Sequence, residues 1–219
     1  MIKYSSEGEI MWYKEISKID YSNEIVINKR GEIFLSISYD KSFRIENQLI
    51  DSIPSKERST KKSIFKLNKK GEFESIIKRW VHTHSYDIDM DKEFLRLTVS
   101  LTFDRKDNLI IYGHLRGILP LSDKVKIYCM DKYKDGRAGY IAKYNSNNKL
   151  LWFKKLWGCK RESLKKPVFN KKNEMYLCGS FNGSMMLSDG INISSNFGTK
   201  RPQSGLSFFY SKLSEKGEL

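Results

Sequence analysis

The sequence predicts an all-β fold, and three observations carry that expectation. Short apolar runs rich in β-branched and aromatic residues, such as Leu109 to Tyr112, recur between clusters of Gly, Asn, Asp and Ser. No stretch of ten or more residues sustains a 3.6-residue apolar period together with a capping signal. Two polar turn patterns return at long intervals along the chain, which marks a repeat architecture.

The first pattern aligns Lys3, Lys66, Lys143 and Lys212 at the heads of "KYSSEGEIMW", "KLNKKGEFES", "KYNSNNKLLW" and "KLSEKGEL". Five residues after each lysine stands Gly8, Gly71, Asn148 or Gly217. Gly and Asn adopt φ > 0 most easily, so a tight polar turn between two apolar strands is expected, one β-hairpin per copy. The second pattern opens at Asn28, Asp104 and Asn170 in "NKRGEIFLSIS", "DRKDNLIIYGH" and "NKKNEMYLCGS". An Asx-rich turn is again followed by an apolar strand, which meets Gly113 and Gly179 in two copies and Ile37 in the first.

Two hairpins per repeat make four strands. The lysines lie 63, 77 and 69 residues apart, a period that suits a four-stranded propeller blade better than a helical solenoid. The expected architecture is a β-propeller-like array of four-stranded antiparallel blades, about three repeats plus one strand. Repeat 1 spans about 1–62, repeat 2 about 63–138, repeat 3 about 139–206, and a partial fourth 207–219. A propeller closes with about four or more blades, so an incomplete ring with an exposed strand edge is expected. Met1 falls within a strand and Leu219 just after a turn, which leads to the expectation of a fragment of a longer propeller.

Trp12 and Trp152 share one repeat position, where Ser75 stands in repeat 2. A large ring repeated on a strand serves packing between blades, since each blade must bury its face on the next. A hydrophobic share of 39 % with 13 % aromatics supplies enough apolar surface for one sizeable core. No apolar run approaches the roughly 18 residues that a membrane span needs, and no signal-peptide pattern opens the chain. Cys129, Cys159 and Cys178 lie far apart without a Cys-x-x-Cys pair, so they are taken as free thiols, with Cys178 expected in the core.

These residues resemble the bacterial β-propeller repeat proteins of the SBBP type. The segment from Leu151 to Lys212, with "W", "NKKNEMYLCGSFNGS" and "SFFYSKLSEKGEL", looks like that family's tryptophan strand, its Asp-x-x-Gly-Asn-Val-Tyr-Val-x-Gly segment and the start of its next blade. The chain departs from the family at Ser75 and Ile37. The resemblance implies a non-catalytic structural or protein-interaction module of a secreted or surface-attached bacterial protein, with no cofactor and no catalytic residue. The expected partner is protein, or the remaining blades of the same protein. The tryptophan-docked quinoprotein-type propeller shares the strand ending in tryptophan but has shorter blades.

Two loop groups are candidate sites. Lys66 to Asp104 is 38 residues where the equivalent steps are 25 and 27, and the extra length carries "WVHTHSYDIDMDKEF". His82, His84, Asp87 and Asp89 are candidate metal ligands there, since residues i and i+2 of a strand share a side. The spacing lacks the Gly and Glu of a calcium loop, so a solvated acidic loop with no metal is the expectation.

The connections "PSKERSTKK", "MDKYKDGRAG" and "FGTKRPQSG" form the second group. Lys56, Arg58, Lys61, Lys62, Lys132, Lys134, Arg137, Lys200 and Arg201 make up a candidate basic rim for an anionic glycan or nucleic acid, the alternative function. The net charge of +14 is compatible with such a partner, although lysine is spread along the whole chain. No nucleophile elbow, phosphate loop or histidine triad context appears, so no enzyme activity is expected.

Overall fold

The computed structural model of the protein describes residues 1–53, 59–83, 95–129, 137–187, 190–194 and 207–219. Among these the chain is all-β, with no helix. It divides into two compact units, Met1–Ile88 and Asp89–Leu219.

Unit 1 opens with β1 (Ile2–Tyr4) and β2 (Ile10–Tyr13), which pair as a two-stranded sheet. There follow β3 (Ile16–Ser17), β4 (Tyr21–Ile27), β5 (Ile33–Tyr39), β6 (Ser42–Ile45), β7 (Gln48–Ser52), β8 (Ser59–Leu67) and β9 (Phe73–Thr83). The order β4-β5-β8-β9 is a four-stranded antiparallel meander, and β3-β6-β7 is a small separate sheet. Unit 2 contains β10 (Leu95–Leu97), β11 (Ser100–Phe103), β12 (Leu109–Pro120), β13 (Lys126–Cys129), β14 (Ala138–Tyr144), β15 (Leu150–Leu164), β16 (Val168–Phe169), β17 (Met175–Leu187), β18 (Asn192–Ser194) and β19 (Ser207–Leu213). These join one ten-stranded, curled sheet along β10-β12-β14-β15-β17-β16, with β11 and β13 on β12 and β18 and β19 on β17.

Pairing runs from one repeat into the next. β5 pairs with β8, β12 with β14 and β17 with β19, so the sheets straddle the repeat boundaries read from the lysines. The order β4-β5-β8-β9 recurs as β11-β12-β14-β15 within the larger sheet. Blades do not stay separate there: the far half of β15 leaves β14 and pairs with β17 through two irregularities in register.

Two hairpins per repeat is an undercount. A third follows each second-pattern strand: β6 with β7, the end of β12 with β13, and the end of β17 with β18. A short strand flanks each of these from the other side, namely β3, β10 and the far half of β15. These hairpins vary in length and turn residues among the copies, so no column of matching letters announces them.

Strand alternation gives every sheet two distinct faces. In unit 1 the inward residues Ile33, Leu35, Ile37, Phe65 and Leu67 form a core with Phe43 and Ile45, against which Met1 and Trp12 pack. In unit 2 Ile110, Tyr112 and Ile141 meet Met175, Leu177, Phe181, Phe209 and Leu213 of the following repeat. Residues of successive repeats thus share a core in each unit, and Trp12 and Trp152 pack against these cores as partly buried side chains.

Gly113 and Gly179 mark close backbone approach. A Cβ at Gly113 would lie 2.1 Å from the Thr98 carbonyl oxygen, and one at Gly179 would lie 2.2 Å from that of Ser163. Both carbonyls sit where the neighbouring strand is interrupted, between β10 and β11 and just before β15 ends. In repeat 1 Ile37 takes the place of the glycine, and the neighbouring strand β4 pairs with it through Ser22, next to an irregularity in register between Ser22 and Glu24. Cys178 corrects the expectation of a core thiol: it is exposed, because its position in β17 faces away from the core, opposite Tyr210. Cys129 is buried.

Candidate functional site

The seven copies of the two turn patterns all make the same turn, and among the described residues Leu187 starts another with the same backbone bonds and Gly190 at φ 82°. The seven start at Ser5, Asn28, Asn68, Asp104, Asn145, Asn170 and Ser214. In each, the first residue's carbonyl accepts from the amide three residues on, and its amide donates to the carbonyl four residues on. The fourth residue has φ between 60° and 88°: Gly8, Gly31, Gly71, Asp107, Asn148, Asn173 and Gly217. This is a type I turn closed by a left-handed bulge residue. The side-chain oxygen of the first residue accepts the amides two and four residues later at six of these turns, for example Arg30 and Glu32 onto Asn28 Oδ1 at 3.0 and 2.9 Å, and at Ser214 it accepts the second of them, from Glu218. A short Asx or Ser side chain at that position therefore supports the turn in all seven copies.

The aligned lysines clasp these turns. Lys66 Nζ lies 2.8 Å from Glu32, which closes the turn of the strand before, and 2.8 Å from Glu74. Lys212 Nζ lies 2.6 Å from Glu174 at the matching turn. Burial opposes ionisation of Glu32, but hydrogen bonds from Lys66, Asn28 and Arg30 and the Lys66 charge outweigh it and bring its pKa to about 2. The carboxyl of Glu174 is likewise held low by the hydrogen bonds of Lys212 and Asn170.

In the middle copy the acid has moved to the first turn position, and the pair is buried. Lys143 Nζ is 2.7 Å from Asp104 Oδ2, with side-chain exposures of 3 % and 0 %. The same oxygen accepts from Asn108 Nδ2 at 2.8 Å and Asn173 Nδ2 at 3.0 Å, while Oδ1 accepts the amides of Lys106 and Asn108. Burial raises the Asp104 pKa, yet Lys143 and the asparagine contacts reverse that and leave it lowered.

Five donors saturate the roughly four lone-pair sites of a carboxylate. Asp104 is thereby without capacity to take a proton from a substrate or to bind a metal, and its chemistry is cohesion. Asn173 belongs to the next repeat's turn and also accepts the Arg105 amide at 2.9 Å. Lys106 reaches Glu215 of the last turn at 2.7 Å, and the Trp152 indole N–H donates to the Glu215 carbonyl at 3.0 Å.

A second polar cluster lies in unit 1. Tyr39 Oη donates to Asp51 and lies 3.3 Å from Ser63 Oγ, and Asp51 also faces Arg79 at 2.9 Å and Lys61 at 3.8 Å. Burial, and then the hydrogen bond to Asp51, raise the Tyr39 pKa. A phenol held neutral between a carboxylate and a serine fixes β5 against β7 and β8; it is not primed to release a proton.

The sequence-derived rim is only partly described. Lys61 and Lys62 lie within β8 rather than in a loop, with Lys61 directed at Asp51 and also donating to the Ser52 carbonyl at 2.7 Å. Lys62 is half-buried, and desolvation lowers its pKa. Arg137 is exposed. Lys56, Arg58, Lys132, Lys134, Lys200 and Arg201 lie outside the described residues, as do His84, Asp87 and Asp89. His82 falls at the end of β9, and its side chain is outside the description.

Sequence reasoning missed the identity of the two turn patterns and the lysine clasp. The signal was present as Asx or Ser followed three residues later by Gly, Asn or Asp. Among the described residues no group of three or more His, Cys, Asp and Glu side chains stands ready for a metal, and no helix is long and apolar enough to cross a membrane. No family model, curated protein or solved structure matches the chain.

Proposed function

We propose that the chain is a β-propeller-type repeat segment, of the kind seen in SBBP-type proteins, that works as a non-catalytic structural or protein-interaction module. The observation that carries this reading is the use made of its polar groups. Lysines and acids that recur with the repeat are spent on closing turns and joining neighbouring strands, with Asp104 and Lys143 as the buried extreme. The four-stranded meander β4-β5-β8-β9 supports the blade comparison. The resemblance extends the reading to an exported or surface-attached bacterial context, with protein as the partner class.

A second reading, binding of an anionic glycan or nucleic acid, is favoured by the net charge of +14 and the exposed Arg137. Retention on heparin and on DNA measured across a salt series separates the two. The module reading predicts weak retention that is gone by physiological salt, whereas a dedicated site gives saturable binding whose logarithm falls linearly with the logarithm of salt. Saturable binding of that kind, abolished by Arg137→Glu, would replace the module with an anion-binding protein.

A further inference from the structure

Within unit 2, one face of the β12–β14 pair is closed over by the repeat that follows. Ile110 and Ile141 on that face are 0 % exposed, packed with Met175, Leu177, Phe209 and Leu213. The corresponding positions one repeat later, counted from the turns at Asn170 and Ser214, are Tyr176 and Tyr210. Tyr210 is 87 % exposed, and Phe208 on the same side of β19 is 81 % exposed. Val168 of β16 is also open, and an open groove of about 740 Å³ runs beside this strand, lined by Phe181, Ile193, Phe208, Tyr210 and Leu219.

Unit 1 carries the opposite half of the same interface. In its full sheet the register pairs Phe65 with Ile76 and Leu67 with Phe73, and all four belong to or pack on the core. The β1–β2 hairpin repeats that register, with Ile2 opposite Tyr13 and Tyr4 opposite Ile10. Each of these four is more than half exposed. A two-stranded hairpin with four large apolar side chains open to water lacks the cover that its equivalent has.

We propose that the two faces dock on each other between copies of this chain, head to tail: the β16–β17–β19 face around Tyr210 in one copy against the β1–β2 face around Tyr13 in another. The occupant is a second copy because both halves of a contact already made inside the chain are present on it, each uncovered. The contact joins two different surfaces, so it is heterologous and builds either a closed ring or a filament. It rests on the reading of the chain as a repeat module and names its partner. Because the buried surface is apolar and each copy carries +14, added salt strengthens the association by screening repulsion.

Sedimentation velocity on the full chain over a concentration series, at low and high salt, tests this. The weight-average mass is expected to rise with concentration. A Phe208→Glu/Tyr210→Glu variant and a Tyr4→Glu/Tyr13→Glu variant, each verified as folded by circular dichroism, are expected to stay monomeric alone. Mixed in equal amounts they form a heterodimer that grows no further, since one intact head meets one intact tail. Serine at the same positions serves where glutamate unfolds the chain. A wild-type chain that is monomeric throughout, or association that persists in either variant alone, overturns the proposal. A monomer would leave the module reading standing, because that reading falls to saturable binding of anionic polymers instead.

Discussion

Lys143 is the residue on which the repeat depends most. Its ammonium group is buried against a carboxylate that has four other donors, so removing it strands a charge rather than a neutral group. Lys143→Met is expected to cost about 3–5 kcal/mol, the penalty for leaving a buried partner unpaired, read from urea unfolding. Adding Asp104→Asn recovers part of the loss, because asparagine keeps the turn-capping oxygen, as Asn28 and Asn170 do in the sister turns, and carries no charge; recovery is incomplete because its Nδ2 gives the Asn108 and Asn173 amides no acceptor. A double variant as unstable as the single would mean that the ion pair is not what Lys143 supplies.

At the scale of the turn, the glycines divide by what lies above them. Gly31 has φ +77° but only ordinary contact for an added Cβ, at 3.5 Å from Lys69. Gly217 has φ +81°, and its Cβ would stand 2.7 Å from the Trp152 ring. Gly31→Ala should therefore cost the backbone term alone, about 1 kcal/mol, and Gly217→Ala clearly more, since the ring is held by its bond to Glu215. Equal losses in paired thermal melts would dissociate the tryptophan from the turn. Gly71 faces Trp12 in the same way, at 3.0 Å.

The same comparison shows why part of the fold was legible from sequence. The seven repeat turns combine a particular φ with a capping oxygen, which only a few residue types supply, so their positions stand out as letters. The tryptophan column is legible for the same reason. Where repeat 2 has Ser75 in place of tryptophan, the turn one repeat later has Asn148 in place of glycine, so the two positions change together. The third hairpins were not legible, because ladder hydrogen bonds between backbones ask little of side-chain identity. The lysine column was visible without its cause: its partners are Glu32, Asp104 and Glu174, and the acid changes turn position in the middle copy.

At the scale of the whole molecule, each repeat is completed by its successor, through strand pairing and through a shared core. The two units do this each around its own core. The candidate basic rim was the least legible feature, since exposed lysine in a lysine-rich chain has no pattern that separates binding from solvation; Lys61 proved to be spent on Asp51. The most direct test is nuclear Overhauser contact between the backbones of paired strands. Cross-strand contacts are predicted for Phe34 with Lys66, Ile110 with Lys143 and Tyr176 with Lys212, one for each passage from a repeat to the next. Strands that close within their own repeat, with none of those three contacts, would contradict it.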